Sequence, residues 1–145
     1  MEPDPELVDE TQNWLVKAGR DLRAARLANG AAPPLRDISV FHAQQAAEKA
    51  LKAFLTWHER PFAKTHDLEE LRDACIAIEP ALRQSLLGIG ILSEYAVRVR
   101  YPGESSEPPA EEAEKALRLA QSVFDATTRL LPAGVWPPQP GRQGT

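Results

Sequence analysis

Proline placement constrains this chain more than any other feature. Thirteen of the 145 residues are proline, against roughly seven expected at an average usage of about 5%. They leave five long proline-free windows, 6–32, 35–60, 62–79, 81–101 and 110–131. Proline has no backbone N–H and its ring clashes with the preceding turn, costing about 3 kcal/mol inside a helix. The windows therefore mark where helices can run, and the clusters at 33–34, 102, 108–109 and 132–140 mark where they cannot. Proline-rich disorder would scatter these residues through polar sequence instead.

Within the windows the apolar residues recur at helical spacing. Leu15, Ala18, Leu22 and Ala25 form one stripe in the first, which Asp4 can cap ahead of Pro5 and which Asn29-Gly30 closes. Asp9 with Gln12 offers a second start of capping-box type. The second window predicts the strongest helix, about 37–58, capped by Asp37. Its Val40, Ala43, Ala47, Ala50, Leu51, Phe54 and Leu55 share an arc of roughly 140°. Asp67 and Glu70 open a short third helix carrying Leu68, Leu71, Ala74, Cys75 and Ile78. A fourth helix is predicted over 81–100, with a kink or close approach at Gly88 and Gly90. The fifth, 110–131, opens on Glu111, Glu112 and Glu114, favourable to the helix dipole. The predicted fold is all-α, an antiparallel up-and-down bundle of four to five helices forming one domain over 1–131. Residues 132–145 are expected to be a Pro/Gly-rich tail, extended or disordered, with Trp136 its only anchor.

Bulk properties close off several function classes. No run approaches the ~18 uncharged apolar residues of a membrane span, so no membrane partner is expected. The acidic, proline-bearing start MEPDPELVDE is unlike a secretory signal. A lone cysteine, Cys75, excludes an internal disulfide and a cysteine-based zinc site. A cytoplasmic setting follows as the expectation. Charge is partitioned: residues 1–14 carry five acids and no base, residues 15–103 carry 13 bases and 10 acids, and residues 104–145 carry six acids and four bases. That pattern does not suggest a broad nucleic-acid face, but it leaves room for a local basic site.

Two constellations carry candidate chemistry. His42, Gln45, Lys49 and Lys52 cluster on a polar arc of about 80° on the second helix, with Glu48 at its border four residues before Lys52. The arc suits a nucleotide or phosphate; it also suits a plain solvated helix face. Tyr95, Arg98, Arg100 and Tyr101 precede Pro102. Guanidinium groups grip phosphates and tyrosines stack on bases, but the same residues can pack in the core and pair with acids. His66, before Asp67, reads as a capping or packing group, and Cys75 reads as core. No metal-ligand pattern, glycine-rich phosphate loop or other cofactor signature is present.

The run Phe41-His42-Ala43-Gln44-Gln45-Ala46-Ala47-Glu48-Lys49-Ala50-Leu51-Lys52-Ala53 resembles the most recognisable helix of the HEPN domain (higher eukaryotes and prokaryotes nucleotide-binding). Thr65-His66-Asp67-Leu68 with Leu71 is similar to the start of that family's next helix, and Tyr95 with Arg100-Tyr101-Pro102 to a signature near the end of its third long helix. The resemblance runs from about Trp14 to Leu131. It implies an all-α bundle, a homodimer, and a small nucleotidyltransferase as partner in a toxin–antitoxin-like pair. Many members of the family are metal-independent ribonucleases whose motif is an arginine followed after four to six residues by a histidine. Here residues 99–109 contain no histidine after Arg98 or Arg100. The resemblance thus implies a non-catalytic protein binding a nucleotide, RNA or a protein partner. A ribonuclease toxin and a plain helical adaptor are the alternatives.

Overall fold

The computed structural model describes residues 2–100 and 107–138, with backbone alone for 96–100. Five α-helices follow one another: α1 Pro5–Asn29, α2 Arg36–Trp57, α3 Leu68–Ile78, α4 Ile89–Arg100 and α5 Ala110–Arg129. The described residues contain no strand, only an isolated bridge between Gly134 and Pro138. The chain is an all-helical bundle, as the periodicity predicts.

Helix ends follow the punctuation in part. Asp4 caps α1 through Oδ1, which accepts from Glu6 N at 3.0 Å, and Pro5 takes the first helical position. Asp67 caps α3 by accepting from Glu69 N and Glu70 N. Asp37 does not cap α2. It lies inside the first turn with its carboxylate on Ile38 N, and Leu35 occupies the cap position without a side-chain bond. Nor does Gln12 join Asp9 in a second helix start, because α1 runs unbroken from Pro5.

The predicted fourth helix is two elements. Pro80–Arg83 form a 3₁₀ turn, and α4 begins only at Ile89. Gly88 lies between them at φ +82°, a left-handed conformation that glycine adopts without penalty and other residues resist. Two residues on, the Glu69 carboxylate packs so tightly on Gly90 that a Cβ there would meet its Oε1 at 2.7 Å. Gly88 therefore breaks the helix, and Gly90, inside α4, admits a close neighbour, at the two positions where a kink or close approach is predicted.

Helix α2 occupies the middle, packed against each of the other four α-helices. The expected apolar arc is buried throughout, from Val40 to Leu55, and so are Ala46 and Ala53 outside it. Alanine at 43, 46, 47, 50 and 53 lets backbones approach α2 from several sides. Phe54, Leu51 and Leu55 fill the remaining volume. Ser39 Oγ ties α2 to α1 by donating to Ala25 O at 2.8 Å.

Residues 132–138 do not behave as an extended tail. They turn back onto the bundle: Val135 is buried with Val8, Leu15 and Ala53, and Trp136 meets Phe124 edge-on at 5.8 Å. Gln12 Nε2 donates to the carbonyls of Gly134 and Val135 at 3.1 and 3.2 Å. Composition alone hides this because the docking residues are two apolar side chains set among prolines. Residues 139–145 lie outside the description.

Two expectations follow. Deleting residues 132–145 lowers stability in urea unfolding by about 2 kcal/mol, from the apolar area it re-exposes; an undocked tail would leave the midpoint unchanged. Ala47→Leu costs about 1–3 kcal/mol by overpacking α2.

Candidate functional site

The polar arc of α2 is not one surface. The structure splits it between two carboxylates, and each carboxylate holds one histidine and one lysine.

The first carboxylate comes from α1. Asp21 Oδ1 lies 2.8 Å from His42 Nδ1, and Asp21 Oδ2 accepts from Lys49 Nζ at 2.5 Å. His42 and Lys49 are seven residues apart, two turns of helix, so they stand on the same face and converge on the one acid. Asp21 itself is buried, with 11% of its side chain exposed, while His42 and Lys49 retain 31% and 23%. A carboxylate at Nδ1 fixes the ring and holds the proton on that nitrogen. Nε2 is then left to accept a hydrogen bond or a proton. Lys49 keeps donors beyond the one it gives Asp21. The cluster therefore combines a fixed imidazole with a half-exposed ammonium, groups that can meet a hydroxyl or a phosphate oxygen.

The second carboxylate is Glu48, on α2 itself. It accepts from Lys52 Nζ at 3.2 Å and from Gln44 Nε2 at 3.4 Å, and lies 3.0 Å from His66 Nδ1. Here the acid and the lysine are both buried, at 3% and 9% side-chain exposure. The Lys52 ammonium sits 5.5 Å from the Trp14 ring and 5.8 Å from the Phe62 ring. Lys52 is thus a structural cation held by an acid and two aromatic faces, not a group on an open polar arc. Glu48 is likewise spent inside the fold. Gln45, half-buried, turns sideways to donate to Gln44 Oε1 at 2.7 Å.

His66 neither caps α3 nor packs in the core. Asp67 does the capping, and the His66 side chain is 73% exposed while bonded to Glu48. His58, at the C-terminal end of α2, meets the Phe54 ring at 4.5 Å with the two planes tilted by 50°. Burial lowers its pKa from the ordinary histidine range, and Glu79 works against that shift. Cys75 is fully buried, as its place on the apolar stripe predicts, and burial pushes its thiol up to about 12.

Tyr95 packs half-buried against the main core. Arg98 and Arg100 lie on the last turn of α4, where only the backbone is described, and Tyr101 falls outside the described residues. The structure therefore brings His42 and Lys49 together, withdraws Glu48 and Lys52, and does not place the arginine pair. Sequence reasoning missed Asp21, Gln44 and the role of His66. Asp21 did carry a signal: three residues after Ala18 and four before Ala25, it is an acid at the edge of a buried stripe. No group of three or more His, Cys, Asp or Glu side chains suited to a metal ion exists among the described residues. No described helix is long and apolar enough to cross a membrane.

Removing Glu48 leaves Lys52 buried without its acid. Glu48→Ala is expected to cost about 3 kcal/mol in chemical denaturation. Lys52→Met, which keeps the apolar stem and leaves His66 and Gln44 on Glu48, costs less. Burial keeps Cys75 in the unreactive thiol form at pH 8. Iodoacetamide should leave it unmodified in the folded protein over an hour and alkylate it within minutes in 6 M guanidinium.

No curated protein and no solved structure gives a significant match to this sequence. Residues 11–130, most of the chain, match the sequence model of the HEPN domain, and the chain belongs to the HEPN domain family.

Proposed function

We propose that this HEPN-domain protein is a non-catalytic, dimeric binding protein. It works with a nucleotidyltransferase-type partner, as one half of a toxin–antitoxin-like pair, and takes a nucleotide or RNA at the α1–α2 face. The observation that carries the ligand reading is the Asp21–His42–Lys49 cluster. A buried acid fixes an imidazole and an ammonium side by side at a partly exposed position, an arrangement that costs conformational freedom and adds little as a surface ion pair. Arg98, Arg100 and Tyr101 remain part of the proposed surface by their sequence signature. Gln45 stands between His42 and Lys49 along the helix and borders the site. Leu27, Leu35 and Ile38 support self-association: they are 65%, 43% and 43% exposed around the α1–α2 corner.

A ribonuclease is the second reading, because the Asp-held His42 offers an oriented Nε2 that can take a proton. Two measurements separate these readings. Titration with labelled ATP and with a structured RNA should show saturable binding that His42→Ala or Lys49→Ala weakens by about tenfold, with the RNA intact after prolonged incubation. Cleavage lost in Arg100→Ala or His42→Ala would establish the ribonuclease. Absence of ligand binding, with a stable complex to a co-expressed nucleotidyltransferase, would establish the adaptor. A strictly monomeric mass at micromolar concentration would remove the dimer.

A further inference from the structure

Trp14 and Phe62 also line a cavity of about 480 Å³, between the first turns of α1 and the link from α2 to α3. The two rings meet edge-on at 6.2 Å. Lys52, whose ammonium lies over both rings, is not among the residues lining this cavity. Asp4, Glu6, Glu10 and Glu59 surround it, opposed by the single cation Arg60. None of these four acids is in an ion pair among the described residues. A second cavity, of about 370 Å³, shares the wall Arg60-Pro61-Phe62 and adds Glu70 and Asp73.

We infer that this paired cavity is a docking site for a basic segment of a protein partner, with one lysine or arginine side chain seated against Trp14 and Phe62. Three independent features select that chemistry. The ring pair already holds one alkylammonium, Lys52, which demonstrates its complementarity to such a group. The carboxylates are in excess: Asp73 is paired with Arg72, but the four acids of the first cavity are in no ion pair among the described residues, and the first 14 residues of the chain carry five acids and no base. Two adjoining cavities divided by one wall suit successive side chains of an extended peptide better than a compact ligand. The Lys52 charge does not oppose a second cation, because Glu48 neutralises it at 3.2 Å. The site uses neither His42 nor Lys49, so it stands or falls separately from the nucleotide reading.

The test is calorimetric titration of the full-length protein with a capped tetra-arginine peptide at low salt. One peptide should bind per chain, and Glu10→Gln with Glu59→Gln should weaken it about fivefold. Glu111→Gln with Glu114→Gln, the same change of charge on α5, should leave it unaltered. Trp14→Phe keeps an aromatic face and should retain binding, while Trp14→Leu should lose it with the acids intact. Spermidine should fail to displace the peptide at equal concentration. Absence of binding, equal weakening by the α5 control, or displacement by spermidine each overturns the assignment; the last would give the site to free polyamines.

Discussion

Helix α2 is buried on more than one side and still carries charge, and the rest of the molecule answers that conflict. Thirteen of its 22 residues are buried, among them Gln44, Glu48 and Lys52. A helix enclosed in this way is ordinarily apolar all round. Here the alanines let four other helices close in, and every charge that closure traps needs a partner. Asp21 on α1 and Glu48 on α2 supply those partners. No buried side-chain nitrogen or oxygen is left without a hydrogen bond among the described residues. The positions of α1, of the 58–67 link and of the Trp14–Phe62 ring pair all bear on satisfying these groups.

The difference between Lys49 and Lys52 shows how closure sorts residues of one type. They are three residues apart on one helix and both are bonded to a carboxylate. Lys52 is paired within its own helix and roofed by Trp14 and Phe62, with 9% of its side chain exposed. Lys49 reaches across to α1 and keeps 23%. Burying an ammonium costs several kcal/mol even after the protein relaxes. One carboxylate and two aromatic contacts, the latter about 1–2 kcal/mol each when desolvated, are of the size needed to offset it. Lys49, less buried and without aromatic cover among the described residues, meets less of that cost and keeps donors for the ligand proposed above.

The helical fold was legible because its signals are local. Asp4-Pro5, Asp67 and the alanine-rich arc of α2 act within one or two turns, and the structure uses them as read. What was not legible depends on distant residues. The polar arc looked like one face because nothing in residues 42–52 reveals that Trp14 and Phe62 cover one end and Asp21 reaches the other. The helix expected over 81–100, with a kink or close approach at Gly88 and Gly90, is broken outright at Gly88, where a left-handed backbone outweighs apolar periodicity. The turn at 132–138 depends on Gln12, more than a hundred residues away. For the polar arc and the 132–138 turn the deciding partner lies outside any window that periodicity can see; at Gly88 the deciding factor is a backbone conformation to which periodicity is blind.

The same logic separates the molecule's polar surfaces by what their charges have left to give. Around Glu48 the hydrogen-bonding capacity is consumed inside the fold: two oxygens serve a lysine, an amide and a histidine. Around Asp21 the acid is consumed, but the bases it holds are not, because each keeps an outward donor or acceptor. At the Trp14 cavity Asp4 caps α1, while Glu6, Glu10 and Glu59 are in no ion pair among the described residues. An acid that is buried and doubly bonded orients its neighbours; an acid that is exposed and unpaired attracts a charge from outside. Asp21 therefore serves as a positioning group for His42 and Lys49, and Glu10 and Glu59 as an electrostatic lure. The two proposed surfaces draw on opposite charges and share no side chain, so the proposed nucleotide and the proposed basic peptide would not compete for one.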